Sequence, residues 1–412
     1  MAAGPVKIKE VRAGEICYNI GLSMKTIELP FKVKKAILAC GADMKGAFAL
    51  AKGDTAYLFE GFGDLSDLDN FTRYEEAIRA AQEKLKITPK IVVCDLHPNY
   101  FSTQFARKNR DRHHFSGRRA NRKIVPVPIF QVQHHEAHIA GAIVDNDIKG
   151  DVLGVAFDGT GYGQDGNIWG GEFFTGNAKK LKRIAHLEYI PMPGGEVCVR
   201  EPWRMAASCL YSAFGENFLK LKIDFVERIY KKKWAALKKM VDRKINSPLT
   251  SSMGRFFDAA ACLILNKDIS GFEAELPIEL ERISEKGIDD AYDSACAAKI
   301  IKGVVRDIEN KAVARIISAK FHNSIAGMIL NMAKKAKIKK VVLSGGVFQN
   351  KYLADRAMKL LSENDFKVYG HKNIETNDSG IPIGQIAIAN ARRNTQYTIR
   401  NTREAITRRK CA

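Results

Sequence analysis

The sequence predicts an α/β protein with two lobes of related build. Residues 36–59 and 152–174 share a pattern in which an apolar strand leads through a glycine-containing turn into a further strand. A repeated strand–turn–strand opening indicates two similar units. Short apolar strands and amphipathic helices alternate after each opening, which is typical of sheets that are covered by helices.

Apolar periodicity predicts the individual elements. A spacing near 3.6 predicts helices at residues 74–85, 202–214, 313–336 and 352–363, and short apolar runs predict strands at 90–94, 125–132, 339–343 and 366–369. In the first opening, Gly53 and Asp54 predict a turn between a second and a third strand. The lobes are predicted at residues 30–149 and 150–390, with an N-terminal extension at 1–29 and a basic tail at 391–412.

Composition excludes several classes of protein. A content of 46% hydrophobic and 27% charged residues is a globular mixture, which argues against a disordered or fibrous chain. No apolar run approaches the roughly 20 residues of a membrane span, and no signal sequence is visible, so we expect a cytoplasmic protein. The 8 cysteines form no C-x-x-C pair, which argues against zinc ribbons and disulfides and indicates reduced thiols.

The positive charge is concentrated in two segments. The chain has 66 Lys and Arg against 46 Asp and Glu, which gives a net charge of +20. Residues 107–123 carry eight basic side chains against one acid, and residues 392–412 carry seven against one, so the two segments supply +13 of that charge. Such clusters can bind phosphate backbones, but few aromatic side chains are interleaved with them. We therefore interpret them as a solvated insert and tail, and expect no nucleic-acid partner.

A pair of histidines gives the first chemical signal. The six residues from Gln133 read Gln-His-His-Glu-Ala-His, follow a predicted strand and begin a helix. His134 and His138 share one helix face, so both imidazoles can reach one metal ion; a polar pair in the core is the alternative. The zinc-protease motif is excluded because position 139 is Ile139 rather than histidine. His135 is interpreted as a packing or supporting residue.

Two glycine-rich segments are candidates for binding phosphate or nucleoside. Residues 157–163 read Phe-Asp-Gly-Thr-Gly-Tyr-Gly, which predicts a tight turn whose N–H groups can form an anion-binding nest. A strand is predicted next and no lysine follows, so neither the dinucleotide motif nor a P-loop applies. Residues 344–350 lie between a strand and a helix, where N–H groups and Asn350 can meet a nucleotide. A plain hairpin and a plain connection are the alternatives. Asp378 could close a metal site, although Asn-Asp-Ser-Gly segments are mostly turns.

Together these motifs resemble those of the hydrogenase-maturation carbamoyltransferase family HypF. The resemblance is carried by residues 95–100, 132–138, 157–163, 194–196, 201–206, 249–258, 321–324 and 344–350. It runs in order from about residue 30 to 390 and corresponds to the C-terminal carbamoyl-transfer module of that family. It implies the two-lobed fold of actin, heat-shock chaperones and sugar kinases, with a nucleotide and metal site between the lobes.

The resemblance also implies roles for individual residues. His134, His138, Asp158 and Asp378 would hold a divalent metal such as iron, zinc or magnesium, and Lys45 would contact a phosphate or carbamoyl oxygen. Carbamoyl-adenylate, made from ATP, would be bound by Gly159, Thr160, Gly161, Gly163, Gly345, Gly346 and Asn350. The implied reaction moves the carbamoyl group to a C-terminal cysteine thiolate of a HypE-like acceptor protein, where it becomes the precursor of a cyanide ligand in nickel–iron hydrogenase.

The chain departs from the family pattern in two ways. Full-length members carry an acylphosphatase-like domain, zinc ribbons and an adenylate-forming domain ahead of this module, whereas about 30 residues precede it here. We therefore expect that the chain does not make carbamoyl-adenylate efficiently by itself. It is interpreted as a separated module that works with a separate adenylate-forming domain, as a fragment, or as a divergent enzyme that is supplied by another protein. Ala274 and Glu275 stand where the family usually has glycine and glutamine, which weakens the nucleotide contact expected there.

Other functions stay open at this point. An O-carbamoyltransferase that acts on a small-molecule hydroxyl has a similar histidine pair and glycine turn. A tRNA threonylcarbamoyl-transfer relative would suit the basic clusters, but its histidine motif differs. An inactive binding module is the non-enzymatic alternative, and the intact set of His134, His138, Asp158 and Asp378 argues against it.

Overall fold

A computed structural model of the chain describes residues 8–9, 23–110, 127–229 and 231–392. The chain divides into two compact units: residues 1–150, 177–181 and 371–412 form the first, and residues 151–176 and 182–370 form the second. Most of the basic insert and nearly all of the basic tail lie outside the described residues. Among the described helices, none has the length and apolarity needed to cross a bilayer.

Both strands and helices occur in each unit of the described chain. The strands are β1 Ile8–Lys9, β2 Ser23–Ala39, β3 Phe48–Glu60, β4 Ile91–Asp95, β5 Ile129–Val132, β6 Val152–Tyr162, β7 Ile168–Asn177, β8 Lys180–His186, β9 Ile190–Pro191, β10 Leu249–Thr250, β11 Lys340–Ser344 and β12 Lys367–Tyr369. The α-helices are α1 Leu68–Lys84, α2 Phe101–Arg110, α3 His134–Asp145, α4 Val197–Arg200, α5 Trp203–Phe214, α6 Asp224–Arg228, α7 Lys231–Asp242, α8 Met253–Leu265, α9 Glu275–Ile283, α10 Ala297–Glu309, α11 Ala314–Ala336, α12 Lys351–Ser362 and α13 Ile381–Ala391. Short 3₁₀ helices occur at Gly215–Lys220, Gly346–Gln349 and Asp378–Gly380.

The sheet of the first unit carries helices on both faces. Its strand order is β1-β2-β4-β5, with β3 also paired to β2. β2 and β3 are antiparallel, whereas β2, β4 and β5 are parallel. Side chains alternate across a strand, so Ile37 and Val93 pack with α3 and α13, and Leu38 and Val92 pack with α1 and α2.

The turn predicted at Gly53 and Asp54 is wrong. Strand β3 continues through both residues, and Gly53 pairs with Val33 of β2. The pairing register slips on both sides of Val33, and Gly53 has a φ of +65°, so this part of the hairpin is a bulge rather than a chain reversal. Glycine adopts that left-handed conformation easily, and in sequence it looks the same as a turn glycine.

The second unit has a related build. Its sheet has the order β12-β11-β6-β7-β10-β9, with β8 also paired to β7. β6 and β7 are antiparallel, and β11 and β12 run parallel to β6, just as β4 and β5 run parallel to β2 in the first unit. A large apolar cluster joins these strands to α5 and to helices α8 through α12. The predicted α/β class with two related lobes is therefore confirmed.

The compact units differ from the predicted lobes at three places, the first being residues 177–181, which were predicted in the C-terminal lobe but belong to the first unit. Residues 23–29, predicted as part of an extension, lie in β2. Residues 371–390, predicted in the C-terminal lobe, belong to the first unit because α13 packs against α3, β2 and β3. Helix α13 therefore completes the unit that contains β2 and β3.

Helices α3 and α13 approach each other through small residues. A Cβ atom at Gly384 would lie 1.8 Å from the carbonyl oxygen of Ala137, and one at Gly141 would lie 3.5 Å from that of Gly380. Non-bonded carbon atoms pack at about 3.5–4.0 Å. Gly384 therefore leaves no room for a side chain, and its absence lets α13 lie directly on the first turns of α3.

We expect Gly384→Ala to destabilise the protein by about 3 kcal/mol or to prevent folding, because the added methyl group forces the two helices apart. Gly370→Ala is the matched control, since a Cβ atom there meets nothing within 4 Å. Urea unfolding followed by circular dichroism measures both variants. Equal midpoints for the two would contradict the close approach of the helices.

Candidate functional site

The histidine pair lies where the sequence predicts it, at the start of helix α3. The side chain of Gln133 caps the helix by accepting a hydrogen bond from the backbone N–H of Glu136 at 3.0 Å. His134 and His138 therefore occupy successive turns, and their ring centroids are 5.0 Å apart. Their exposures are 1% and 2%, so both imidazoles are shielded from solvent.

Asp378 joins the two histidines. Its Oδ1 atom lies 3.4 Å from Nε2 of His134 and 3.4 Å from Nε2 of His138. One ligand atom from each of these three residues lies within 4.8 Å of the others. The cap formed by Asn377, which accepts from the N–H of Ser379 at 3.0 Å, shapes the 3₁₀ turn that carries Asp378. Two imidazole nitrogens and a carboxylate oxygen are a donor set suited to a transition metal.

Asp95 supports this set and was not found from the sequence. It lies at the end of β4, is 0% exposed, and its Oδ2 atom is 2.9 Å from Nδ1 of His134. A carboxylate at Nδ1 keeps the proton there, so Nε2 is the nitrogen that can bind a metal. The signal in the sequence was the position of Asp95 at the end of an apolar strand. In the structure that strand pairs with β5, which leads into the helix that carries the histidines.

Asp145, at the far end of α3, holds the segment that leads to Asp378. Its carboxylate accepts backbone hydrogen bonds from Lys372 at 2.6 Å and Asn373 at 3.0 Å. Burial lowers the pKa of the neighbouring His371 to about 4, against the attraction of Asp145, so this imidazole stays neutral. The sequence showed no signal for this anchor, because its partners are mostly backbone groups.

Asp158 lies in the second unit, within strand β6. Its Oδ1 atom accepts hydrogen bonds from the backbone N–H groups of Gly159 at 2.9 Å and Gly346 at 3.2 Å. The tight turn predicted at residues 157–163 is wrong, because β6 continues to Tyr162 and the chain reverses only before β7. The register slips between Phe157 and Gly161, so the glycines form an irregular strand end.

The glycines beside Asp158 are required by close packing. Gly345 has a φ of +103°, and a Cβ atom on it would lie 2.2 Å from the carbonyl oxygen of Phe157. A Cβ atom on Gly346 would lie 2.9 Å from Oδ1 of Asp158. The two glycine-rich segments that were predicted to bind phosphate or nucleoside therefore meet at Asp158, whose carboxylate accepts a hydrogen bond from one N–H group of each.

The other predicted nucleotide contacts have separate positions. Thr160 and Gly161 lie in β6, where Gly161 pairs with Trp169 of β7. The N–H of Gly163 donates a hydrogen bond to the carbonyl oxygen of Asn167 at 2.9 Å. Asn350 caps helix α12 after the 3₁₀ turn, so the predicted strand–helix connection is confirmed. In the first unit, Lys45 lies exposed in the turn between β2 and β3.

A buried ion pair in α8 was also missed from the sequence. Arg255 and Asp258 are both 2% exposed, and Nε of Arg255 lies 2.8 Å from Oδ2 of Asp258. Burial raises the pKa of Asp258 to about 6, although the positive charge of Arg255 opposes the shift. A Cβ atom on Gly159 would lie 3.8 Å from Nη2 of Arg255, so the ion pair lies next to the glycine segment of β6.

Five buried cysteines among the described residues are unsuited to act as nucleophiles, whereas Cys296 is half-buried. Cys40 and Cys262 are buried, and burial raises the pKa of both thiols. Burial also raises the pKa of Cys94, Cys198 and Cys209 to about 12. The reactive form of cysteine is the thiolate, and these environments suppress it.

The departure from the family pattern at Ala274 and Glu275 has a structural explanation. Ala274 has a φ of +62°, the left-handed conformation that glycine adopts at no steric cost. The carboxylate of Glu275 accepts a hydrogen bond from the backbone N–H of Gly271 and so closes the turn before α9. The backbone shape expected for a glycine is therefore retained at position 274 by an alanine.

Two family models match the chain. Residues 32–145 match a model described as the HypF Kae1-like domain, and residues 154–385 match one described as carbamoyltransferase, Kae1-like domain, second subdomain. Carbamoyltransferase HypF of Synechocystis sp. is 32% identical over 390 residues, which cover 89% of this chain and 48% of that protein. A carbamoyltransferase HypF homolog of Cupriavidus necator is 30% identical over 372 residues, which cover 86% of this chain and 91% of that protein.

A solved structure shares the fold. The crystal structure of full-length HypF in the phosphate- and nucleotide-bound form matches with a TM-score of 0.80 and 35% sequence identity, over 89% of this chain and 57% of that chain. The architecture and the matched models define a Kae1-like protein. The chain belongs to the HypF carbamoyltransferase family, and it spans about half the length of the Synechocystis relative.

We expect Asp95→Asn to weaken the binding of a divalent metal about 10- to 100-fold, because the amide no longer fixes the tautomer of His134. Isothermal titration with Zn²⁺ or Fe²⁺ measures the effect. Asp54→Asn, an exposed position in β3, is the control. An affinity for both metals equal to that of the unaltered chain would show that Asp95 does not orient His134.

Replacing Ala274 by glycine should stabilise the protein by up to about 1 kcal/mol. The left-handed conformation costs a non-glycine residue roughly 1–2 kcal/mol, and the greater freedom of glycine in the unfolded chain offsets part of the gain. Ala260→Gly, within helix α8, should instead destabilise by about 1 kcal/mol. Thermal unfolding of both variants decides the sign, and a loss of stability in Ala274→Gly would contradict the strain.

Proposed function

We propose that the chain carries out the transfer step of a HypF-type carbamoyltransferase. A cysteine thiolate at the C-terminus of a HypE-like acceptor protein attacks the carbamoyl carbon of carbamoyl-adenylate. A carbon–sulfur bond forms, the bond from that carbon to the phosphate oxygen breaks, and AMP leaves. The buried set of His134, His138 and Asp378, in a chain that belongs to this family, is the observation on which the proposal rests.

The residues of the set fit a divalent metal. Nδ1 of His134 is hydrogen-bonded to Asp95. The Nε2 atoms of both histidines lie 3.4 Å from Oδ1 of Asp378. Imidazole ligands favour iron or zinc over magnesium, which prefers oxygen ligands. We propose Asp158 as a fourth ligand, on the sequence resemblance alone. When bound, such an ion supplies Lewis-acid polarisation of a carbonyl or phosphoryl oxygen.

The proposed adenylate contacts lie on β6 and before α12. The related full-length HypF was crystallised with phosphate and nucleotide, which supports a nucleotide ligand for this chain. Because Asp158 engages the N–H groups of Gly159 and Gly346, we assign phosphate binding to the neighbouring Thr160 and Gly161, and nucleoside binding to the segment that ends at Asn350. The exposed Lys45 is proposed to offer its charge to a phosphate or carbamoyl oxygen.

The acceptor thiol is proposed to come from a partner protein. Burial holds the pKa of Cys94, Cys198 and Cys209 near 12, so these thiols are poor nucleophiles at neutral pH. A C-terminal cysteine on a flexible tail is exposed and ionises more readily. This difference in thiolate content favours transfer to the partner over modification of these three thiols.

His138→Ala should abolish most carbamoyl transfer, because it removes an imidazole from the metal set. The assay supplies carbamoyl-adenylate, made in place by a separate adenylate-forming domain, and a peptide that ends in cysteine. Mass spectrometry detects the gain of one carbamoyl group on the peptide thiol, and metal analysis of the protein should show a parallel loss of bound ion. His186→Ala, at an exposed histidine of β8, is the control.

Transfer by His138→Ala at the rate of the unaltered chain would overturn the role of the metal set. Transfer to a small-molecule hydroxyl, with the peptide left unmodified, would instead favour an O-carbamoyltransferase. Efficient transfer from ATP and carbamoyl phosphate by the chain alone would show that it needs no separate adenylate-forming domain.

A further inference from the structure

The buried imidazole of His322 lies beside the residue that caps helix α12. His322 belongs to α11 and is 0% exposed. Its Nδ1 atom lies 2.8 Å from the carbonyl oxygen of Ser318, and its Nε2 atom lies 2.9 Å from Nδ2 of Asn350. The ring thus connects the body of α11 to the end of the segment to which we assign nucleoside binding.

The cap determines which way the carboxamide of Asn350 points. Its Oδ1 atom accepts a hydrogen bond from the backbone N–H of Leu353 at 2.9 Å. A backbone N–H group can only donate, so the atom that it meets must be the oxygen. The atom that faces His322 is therefore the amide nitrogen, and the usual ambiguity between the two ends of an asparagine side chain is removed.

The orientation of Asn350 in turn fixes the state of His322. An amide nitrogen donates and does not accept, so Nε2 of His322 carries no proton. The carbonyl oxygen of Ser318 only accepts, so Nδ1 carries the proton. Burial lowers the pKa of His322 to about 4, although the hydrogen bond to Ser318 opposes the shift. The imidazole is therefore neutral at physiological pH, with its acceptor directed at Asn350.

Asn350 keeps part of its hydrogen-bonding capacity. A carboxamide has two N–H groups and two lone pairs on its oxygen, and the bonds to His322 and Leu353 use one of each. The half-buried side chain thus retains one N–H and one lone pair in a fixed direction. An adjacent donor and acceptor of this kind match the paired acceptor and donor on the edge of adenine.

We propose that His322 is a positioning residue of the nucleoside subsite. By accepting a hydrogen bond from Asn350, it holds the carboxamide in the orientation that an adenine nucleoside requires, without touching the nucleotide itself. This inference rests on the proposed function, because the subsite is the one assigned to carbamoyl-adenylate. A purely structural role would be confined to packing α11 against α12.

A double-mutant cycle on the full chain separates the two roles, with AMP as the titrated ligand. His322→Leu should weaken AMP binding about tenfold, which corresponds to about 1.4 kcal/mol, and His322→Gln should restore most of it because the glutamine oxygen can accept from Asn350. Asn350→Ala should also weaken binding. The double variant should bind AMP no more weakly than Asn350→Ala alone, since His322 acts only through Asn350.

Two outcomes overturn the inference while leaving the proposed function intact. One is that Asn350→Ala weakens AMP binding but His322→Leu does not. The other is that the two losses multiply in the double variant, which indicates independent packing effects. If the unaltered chain binds no AMP, the proposed function fails, and the nucleoside role of His322 fails with it.

Nuclear magnetic resonance gives a readout that does not depend on His322→Leu folding. Long-range ¹H–¹⁵N correlation should show that His322 is the Nδ1–H tautomer in the unaltered chain. Asn350→Asp keeps the cap but places an oxygen against Nε2, so it should draw a second proton onto the ring and weaken AMP binding. An Nε2–H tautomer in the unaltered chain, or undiminished AMP binding by Asn350→Asp, would refute the proposal.

Discussion

The contact between α3 and α13 is the constraint on which the site of the first unit depends. Gly384 has no room for a side chain against Ala137, so the helix that follows Asp378 lies directly on the helix that carries the histidines. The distances of 3.4 Å from Oδ1 of Asp378 to both imidazoles are a consequence of that approach. Because interiors are close-packed and do not deform freely, a change in the spacing of these two helices would change the distances between Oδ1 of Asp378 and the two imidazoles.

Supporting contacts then set the chemistry of each group. Asp95 occupies one nitrogen of His134, and Asp145 holds the backbone ahead of Asp378. In the second unit, Asp158 joins two glycine segments through their N–H groups. In each case a buried carboxylate is satisfied by the protein itself, as burial of a charged group requires. These carboxylates hold other protein groups in fixed positions. Such groups do not have to rearrange when a metal or substrate binds.

Local signals in the sequence were enough for the class of fold and for the histidine helix. The four-residue spacing of His134 and His138 after a strand is a local pattern, and α3 begins where that pattern places it. Contacts between distant segments were not predictable in the same way. Gly53 resembles a turn glycine but lies in a bulge set by its pairing with Val33. Asp95 gains its role only because parallel pairing of β4 and β5 brings it beside His134.

The burial of α3 has a consequence for how the first unit opens. All 12 residues of the helix, from His134 to Asp145, are buried, so it has no solvent-facing side. Backbone amides in such an element exchange their hydrogens with water only when the surrounding structure opens as a whole. We therefore place the two histidines in the slowest-exchanging part of the unit. Their geometry is then protected by nearly the full free energy of unfolding.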